Sequence, residues 1–329
     1  MPAPALYRTL CAHCHGADAT GYAADHAPSL VNPTFLETAS NYYLRRSIEE
    51  GRPGTSMAAY GKSSGGPLDP TAVDRLATWL RSHGPTAHEP GPVAPGDSAR
   101  GRPVYESFCQ SCHGDARKRG DAVMLANAGF LSVANDGFIR HAIVEGRPGT
   151  PMVSFRGLLD SLVIDDVVAY VRSLARPLDA SRLAAPTGKE PLFAYPKGKA
   201  PEFTIKDNRF VGVDQVNRAL QQHRKLVIVD ARPESDWMTT HITSAISIPY
   251  YQLKRLEDIP KDAWVIAYCA CPHHLSGVVV DSLRARGNPH ALVLDEGVLE
   301  WERRGYPIVA APGVSLPPME APSHDRSTR

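Results

Sequence analysis

The sequence lacks any hydrophobic run long enough to cross a membrane. Its longest apolar stretch, at residues 263–270, is far shorter than the roughly 20 residues that a spanning helix needs. An excess of charge is also missing, because 36 Lys and Arg residues balance 35 Asp and Glu residues. A nearly neutral chain gives no electrostatic reason to bind nucleic acid or an anionic membrane surface. We therefore predict no membrane span in this chain and no nucleic-acid partner.

Cysteine is scarce as well, and most of it is confined to two places. Four of the six cysteines fall in two short motifs, which leaves only Cys269 and Cys271. This is too few for the framework of disulfide bonds that holds small secreted domains together. With 43% apolar residues, the chain is expected to fold around hydrophobic cores, and the remaining cysteine pair needs its own explanation.

The two motifs share the form Cys-x-x-Cys-His and lie at residues 11–15 and 109–113. This form is the attachment signal for a c-type haem, in which both thiols bond to the haem and the adjacent histidine ligates its iron. A cysteine pair alone would also suit a zinc site or a redox dithiol, but the histidine that follows both pairs favours haem. The sequence thus predicts two covalently attached c-type haems. The attachment residues are Cys11, Cys14, Cys109 and Cys112, and the histidine ligands are His15 and His113.

The surroundings of the first motif recur around the second in the same order. Each motif is followed by a predicted helix, by the stretch Gly-Arg-Pro-Gly-Thr-x-Met at 51–57 or 146–152, and by a final helix. Such a repeat indicates an internal duplication. The segment between the copies is rich in proline and glycine and is therefore predicted to be a linker.

After the second copy, strands alternate with helices, which indicates an α/β domain with a mainly parallel sheet. The predicted fold class is multidomain, with two all-α domains followed by this α/β domain. The last residues are rich in proline and polar side chains, so we expect them to be disordered. The predicted boundaries are 1–86 and 97–180 for the helical domains, 87–96 and 181–202 for linkers, 203–312 for the α/β domain and 313–329 for the tail.

Both helical copies resemble class I cytochrome c domains, and the resemblance covers the first half of the chain. In that family a methionine from a turn before the last helix supplies the sixth iron ligand, and the matching residues are Met57 and Met152. Ligation by methionine and histidine raises the haem potential. Other candidates for the sixth ligand are His26 in the first copy and Met124 or His141 in the second.

The cytochrome resemblance also implies supporting roles for neighbouring residues. Pro28 matches the proline whose carbonyl oxygen orients the histidine ligand His15, whereas the second copy has no matching proline. Arg52 and Arg147 follow the glycine of the repeated stretch, where they either pair with haem propionates or lie exposed in a loop.

The α/β domain resembles the rhodanese fold over roughly residues 203–309. The stretches that carry the resemblance are Asp-Ala-Arg at 230–232, His-Ile-Thr-Ser-Ala-Ile-Ser-Ile-Pro at 241–249 and Glu-Gly-Val-Leu-Glu-Trp at 296–301. The resemblance implies that Cys269 is the catalytic cysteine, which carries a persulfide, and that Arg232 supports the active-site loop or its anion. A thiol between a strand end and a helix N-terminus also lies in a field that favours the thiolate.

The loop after Cys269 departs from the rhodanese pattern because it contains no arginine. Sulfide, polysulfide or a protein persulfide are therefore alternatives to thiosulfate as the sulfur donor. His273 or His274 would supply a cation or a proton, and Cys271 would resolve an oxidised Cys269 or take over its sulfur. A disulfide between the two cysteines, a metal site in the loop, and a catalytically silent docking domain remain alternatives.

The combination of domains predicts a redox protein in sulfur oxidation, in which Cys269 holds the sulfur and the haems exchange electrons with redox protein partners. The alternatives are a dihaem shuttle or oxidase-complex subunit with a docking domain, and a sulfurtransferase that the haems regulate. Because c-type haems are attached outside the cytoplasm, we expect a periplasmic or otherwise extracytoplasmic protein. Residues 1–10 lack the features of an export signal, so we also expect that a signal or anchor has been removed.

Overall fold

A computed structural model describes residues 1–116, 120–175, 181–270 and 274–312. The chain divides into two compact units, Met1–Leu178 and Asp179–Arg329. The first unit contains two all-α domains and the second is α/β with a mainly parallel sheet, as the sequence predicts. The predicted disordered tail lies outside the described residues.

The first helical domain is built from short helices whose starts are set by capping side chains. Asn32, Ser40 and Asp69 each accept a backbone N–H group at the first turn of the helix that follows them. The helices are α1 (Ala3–Leu10), α2 (Ala12–His15), α3 (Pro33–Leu36), α4 (Asn41–Glu50) and α5 (Pro70–Arg81), with a 3-10 helix at Lys62–Ser64.

The second helical domain repeats this order of elements. Asn127 and Asn135 cap its third and fourth helices as Asn32 and Ser40 do in the first domain. The helices are α6 (Ser98–Phe108), α7 (Gln110–His113), α8 (Ala128–Leu131), α9 (Asp136–Glu145) and α10 (Ser161–Ser173). The repeat of landmarks along the sequence therefore corresponds to a repeat of structure.

The first and last helices of each domain pack against each other through an aromatic pair. The ring centroid of Tyr7 lies 4.8 Å from that of Trp79, and Tyr105 lies 5.2 Å from Tyr170. Both tyrosine hydroxyls donate to the glycine carbonyl that follows the Cys-x-x-Cys-His motif, at 2.7 and 2.8 Å. The helix crossing thus holds the end of each motif in place.

Glycine at one crossing allows the closest approach of two backbones. Gly101 in α6 is buried, and a Cβ added there would lie 2.0 Å from the carbonyl oxygen of Asp166 in α10. Only a residue without a side chain fits at this distance.

Aromatic side chains fill the contact between the two helical domains. Tyr43 of the first domain stacks on Phe138 of the second, with ring centroids 4.8 Å apart and planes at 26°. Phe35 meets both rings edge-on, at 5.7 and 6.1 Å. These side chains form an apolar contact that joins the two domains within one unit.

The second unit has a five-stranded sheet in the order β1-β6-β5-β2-β4, in which all pairs are parallel, and a separate antiparallel pair, β3-β7. Three neighbouring strands of the sheet, β2, β5 and β6, are fully buried and mainly aliphatic, which is typical of a parallel sheet covered on both faces. The strands are β1 (Phe210–Val211), β2 (Val227–Asp230), β3 (Thr240–Ile242), β4 (Ala245–Ser247), β5 (Val265–Tyr268), β6 (Ala291–Leu294) and β7 (Ile308–Ala310).

In the described part of this unit, four α-helices accompany the sheet, and the segment before β1 also packs on it. The Ala194 N–H group donates to Leu226 at 3.0 Å, and Tyr195 packs against the hydrophobic core. Part of the segment predicted as a linker is thus attached to this unit. The helices are α11 (Val213–Gln221), α12 (Glu234–Trp237), α13 (Leu275–Ala285) and α14 (Gly297–Arg303), with a 3-10 helix at Leu253–Asp258.

Among the described residues, every helix is too short or too polar to span a lipid bilayer.

We expect Gly101→Ala to destabilise the second helical domain, because the new methyl group would overlap the α10 backbone. Overpacking of this kind costs about 1–3 kcal/mol, and rigid backbone raises the cost. The free energy of unfolding, measured in denaturant with far-UV circular dichroism, checks this. Gly91→Ala is the matched control, since a Cβ there meets no atom within 4 Å; equal stability of the two variants would contradict the close crossing.

Candidate functional site

A carbonyl oxygen orients the histidine of each Cys-x-x-Cys-His motif. The His15 Nδ1–H group donates to the Pro28 carbonyl at 2.9 Å, as the sequence predicts. In the second domain the His113 Nδ1–H group donates to the Val123 carbonyl at 2.7 Å. A carbonyl can only accept, so Nδ1 carries the proton in both rings and Nε2 keeps its lone pair for a metal.

The sequence pattern predicts no carbonyl partner for His113, because the second copy lacks a proline that matches Pro28. The Val123 carbonyl orients His113 although valine is not a proline like Pro28, because the interaction uses only the backbone. No residue type marks such a carbonyl in a sequence, which is why this contact was missed.

Burial sets the protonation of both motifs. Burial lowers the pKa of the His15 and His113 imidazoles, which keeps them neutral and able to ligate a metal. Burial, reinforced by the second cysteine of each motif, raises the pKa of the Cys11 thiol to about 12 and that of Cys109 to about 11. A redox dithiol reacts through a thiolate of low pKa, whereas the pKa of these two thiols is raised. The donor set therefore fits thioether attachment of a haem.

The two stretches 51–57 and 146–152, here called the methionine turns, close in the same way. The Arg52 N–H group donates to the Met57 carbonyl at 2.7 Å, and Arg147 donates to Met152 at 2.8 Å. Inside each turn, the threonine hydroxyl accepts the methionine N–H group, at 3.1 and 3.2 Å. Both backbone polar groups of each methionine are therefore engaged, so the turn presents its thioether from a rigid base.

The two arginines of the methionine turns form hydrogen bonds within the protein. Arg147 is half-buried, its guanidinium donates to Thr34 and to the Gly146 carbonyl, and it lies 5.6 Å from the Phe138 ring. Burial lowers the pKa of Arg147 to about 10. Arg52 donates to Ser47 at 2.6 Å. Neither arginine is an exposed loop residue.

The competing candidates for the sixth ligand have other surroundings. The His141 Nε2 atom lies 3.2 Å from a Glu37 carboxylate oxygen of the other helical domain. His26 has a side chain that is 55% exposed, 4.0 Å from Asp121. Met57 and Met152 share one geometry, and Met124 stays an alternative in the second domain.

The proposed catalytic cysteine of the second unit lies where parallel strands end. Cys269 follows β5 directly, and its thiol is 3.3 Å from the hydroxyl of Ser276 in the first turn of α13. The Cys269 carbonyl accepts the N–H group of Val298 at 2.9 Å. The side chain is only 1% exposed, so a sulfur bound there would be shielded from water.

Arg232 holds the adjacent strand end. Its guanidinium donates to the Asp230 carboxylate, at 2.7 Å to one oxygen, and to the Thr240 carbonyl at 2.6 Å. The Tyr268 hydroxyl donates to the same carboxylate at 2.9 Å. The described contacts of Arg232 therefore connect β2 with β3, and any role toward a substrate anion stays a prediction.

The loop between β5 and α13 is only partly described. Cys271 and His273 lie outside the described residues, while His274 is at the N-cap of α13. Ser276 is the residue of this region that sequence reasoning missed, since a serine at the start of a helix is usually a cap.

Comparisons with known families cover both units. The family described as cytochrome c oxidase, cbb3-type, subunit III matches residues 2–80 and 96–171. The rhodanese-like domain family matches residues 213–304.

Curated relatives match the helical unit. The cbb3-type cytochrome c oxidase subunit CcoP of Azospirillum sp. (strain B510) is 28% identical over 182 residues, which cover 50% of this chain and 58% of the relative. The subunit FixP of Bradyrhizobium sp. (strain ORS 278) is 29% identical over 174 residues, 50% of this chain and 57% of the relative. The cytochrome bc1 complex cytochrome c subunit of Mycobacterium bovis is 28% identical over 177 residues, 51% of this chain and 60% of the relative.

The chain thus spans less than two thirds of the length of these relatives. The matched families include c-type cytochrome domains, so the chain carries two covalently attached c-type haems. The chain thus combines two cytochrome c domains with a C-terminal rhodanese-like domain.

Proposed function

We propose that this protein is a dihaem electron carrier. Haem attachment is assigned to Cys11 and Cys14 in the first domain and to Cys109 and Cys112 in the second. His15 and Met57 would hold the iron in the first domain, and His113 and Met152 would hold it in the second. The observation that carries the proposal is the repetition of one geometry in both domains: an imidazole fixed through Nδ1 and a methionine fixed through its backbone.

When bound, each haem accepts and releases one electron, and histidine–methionine ligation leaves no iron position open to a substrate. The chain contributes the rest. The Pro28 and Val123 carbonyls keep each imidazole in the tautomer that ligates through Nε2. The closed methionine turns restrict movement of the sixth ligand, which keeps the cost of reorganisation low when charge changes.

The proposed partners are redox proteins that work outside the cytoplasm. Relatives of the helical unit are named as subunits of cbb3-type oxidase and of the cytochrome bc1 complex. We extend to this chain the corresponding role, transfer of electrons within or toward a respiratory complex. An extracytoplasmic place agrees with the attachment of c-type haems there.

For the rhodanese-like domain we propose that Cys269 carries a persulfide. Joining of hydrosulfide to the Cys269 thiolate forms one S–S bond and releases one proton and two electrons. Transfer from a sulfane donor makes the same persulfide without releasing electrons, because the S–S bond of the donor breaks. The two electrons of sulfide oxidation equal the capacity of a chain with two one-electron centres. The Ser276 hydroxyl, 3.3 Å from the sulfur, supports the proposal because it would stabilise the thiolate.

A docking role for the rhodanese-like domain is the second candidate. It is favoured by Arg232, whose described hydrogen bonds go to Asp230 and Thr240, and by the absence of an arginine in the loop sequence. In this case the domain binds a partner and Cys269 has no part in redox chemistry.

We expect Met57→Ala and Met152→Ala each to lower the potential of the haem in the altered domain. The reason is loss of the soft thioether that favours ferrous iron, and the shift should be a clear part of the roughly 0.8 V range that axial ligands span. Redox titration of the full chain, followed in the haem absorption, measures it. Met124→Leu is the control. A lower potential in that variant, with no change in the other two, would contradict the assignment of Met57 and Met152 as ligands.

Cys269→Ser should strongly slow haem reduction by sulfide. Removal of the nucleophile is expected to slow reduction by roughly a hundredfold or more. The oxidised protein is mixed with sulfide, polysulfide or thiosulfate without oxygen, and the haem absorption is followed in time. Cys271→Ser, measured alongside, separates loss of the proposed nucleophile from loss of a resolving thiol.

Equal rates in the wild-type chain and in Cys269→Ser would overturn the persulfide proposal. Such a result, together with loss of partner binding when residues 203–329 are removed, would support the docking role instead.

Ser276→Ala should slow persulfide formation without abolishing it. A hydrogen bond to a charged group contributes about 1.5–3 kcal/mol, so a loss of roughly tenfold or more is expected. The rate of sulfur transfer to Cys269, measured by trapping the persulfide with an alkylating reagent, tests this. Ser282→Ala is the matched control, because that hydroxyl bonds to the Val278 carbonyl within the same helix.

A further inference from the structure

Two asparagines form reciprocal hydrogen bonds between the helical domains. The Asn32 side-chain amide donates to the Pro148 carbonyl at 2.9 Å, and the Asn127 amide donates to the Pro53 carbonyl at 2.8 Å. The two asparagines occupy equivalent positions in the duplicated domains, and so do the two prolines. Each domain therefore holds the same segment of the other.

The segments that are held are the methionine turns. Pro53 precedes Met57 by four residues, and Pro148 precedes Met152 by four. Because backbone hydrogen bonds close each turn into a ring, displacement of the proline carbonyl would be passed on to the methionine.

A second hydrogen bond fixes the orientation of each amide. The Asn32 Oδ1 atom accepts the Phe35 N–H group at 3.3 Å, and Asn127 Oδ1 accepts the Phe130 N–H group at 3.1 Å. Since the oxygen caps the helix of its own domain, the NH₂ group is the part that faces the opposite domain. Each asparagine thus has two separable roles. An aspartate in its place would still cap the helix of its own domain but could not donate a hydrogen bond to the other domain.

The donor side of each bond is sheltered from water, whereas Pro53 is half-buried and Pro148 is exposed. Asn32 is 6% exposed and Asn127 is 8% exposed, and the stack of Tyr43 on Phe138 lies in the same interface. A buried amide that loses its acceptor is left unpaired and costs free energy, so each bond resists separation of the asparagine from the turn.

The two turns are not held equally. Thr34 donates a further hydrogen bond to the Gly146 carbonyl at 2.8 Å, at the start of the Met152 turn. The equivalent position in the second domain is Gly129, which has no side chain to give. The Met57 turn therefore depends more on its single asparagine than the Met152 turn does.

We propose that Asn32 and Asn127 are positioning residues for the axial methionine of the opposite haem: Asn32 acts on Met152, and Asn127 acts on Met57. This inference rests on the proposed methionine ligation. It makes the docking of the two domains a condition for firm ligation in both, so the two haem centres are coupled through protein contacts.

The test measures how easily added imidazole displaces each methionine from ferric haem. Displacement is followed in the full chain by loss of the long-wavelength absorption band that a methionine–iron bond gives. A Met152→Ala background leaves only the band of the first haem, and a Met57→Ala background leaves only that of the second. We expect Asn127→Asp to tighten apparent imidazole binding about tenfold at the first haem and to leave the second unchanged.

Asn32→Asp should act at the second haem, with a smaller effect because Thr34 still holds that turn. Asn135→Asp is the matched control, since Asn135 caps α9 of the second domain through a hydrogen bond to Phe138. It should leave both haems unchanged. If an aspartate variant does not fold, Asn127→Ser replaces it, because serine also caps a helix and has no amide to reach Pro53.

The outcomes are distinct. An effect of Asn127→Asp on the second haem, or no effect on either haem, would overturn the proposal that Asn127 positions Met57. A wild-type chain without the absorption band would instead refute the proposed methionine ligation, on which the roles of the two asparagines rest.

Discussion

The hydrogen bond that closes each methionine turn, from the arginine N–H group to the methionine carbonyl, is the constraint on which the helical unit depends. It fixes the backbone of the methionine that we propose as the second iron ligand. It also fixes the proline carbonyl that the other domain holds. The turn therefore belongs at once to a proposed ligand set and to an interface, and the same residues in both copies serve both purposes.

Covalent chemistry is what the sequence predicts best. Cys-x-x-Cys-His can be recognised in a sequence because haem attachment requires two thiols and an imidazole at fixed spacing. The role of Cys269 as a nucleophile stays a prediction. The strand and helix order of the α/β unit also followed from the pattern of buried aliphatic runs. Short elements such as β1 and the β3-β7 pair were missed, since two or three residues give no periodicity.

Two kinds of contact could not be predicted from the sequence: those made by backbone atoms, and those formed where two domains meet. The Val123 carbonyl orients His113 without any side-chain signature. Asn32 looks in the sequence like an ordinary helix cap, and its bond to Pro148 exists only because two domains meet. Arg232 was predicted from a motif, but its engagement with Asp230 and Thr240 needed the strands to be placed side by side.

Through the reciprocal contacts, the two domains of the helical unit resemble the two subunits of a symmetric homodimer that are joined in one chain. Each half offers the same patch and receives the same patch, as in an isologous interface. The connection between the halves turns their association into an intramolecular event, at an effective concentration near millimolar for a short tether. An interface too weak to hold two separate proteins together is sufficient here, so it can remain small and polar at its edges.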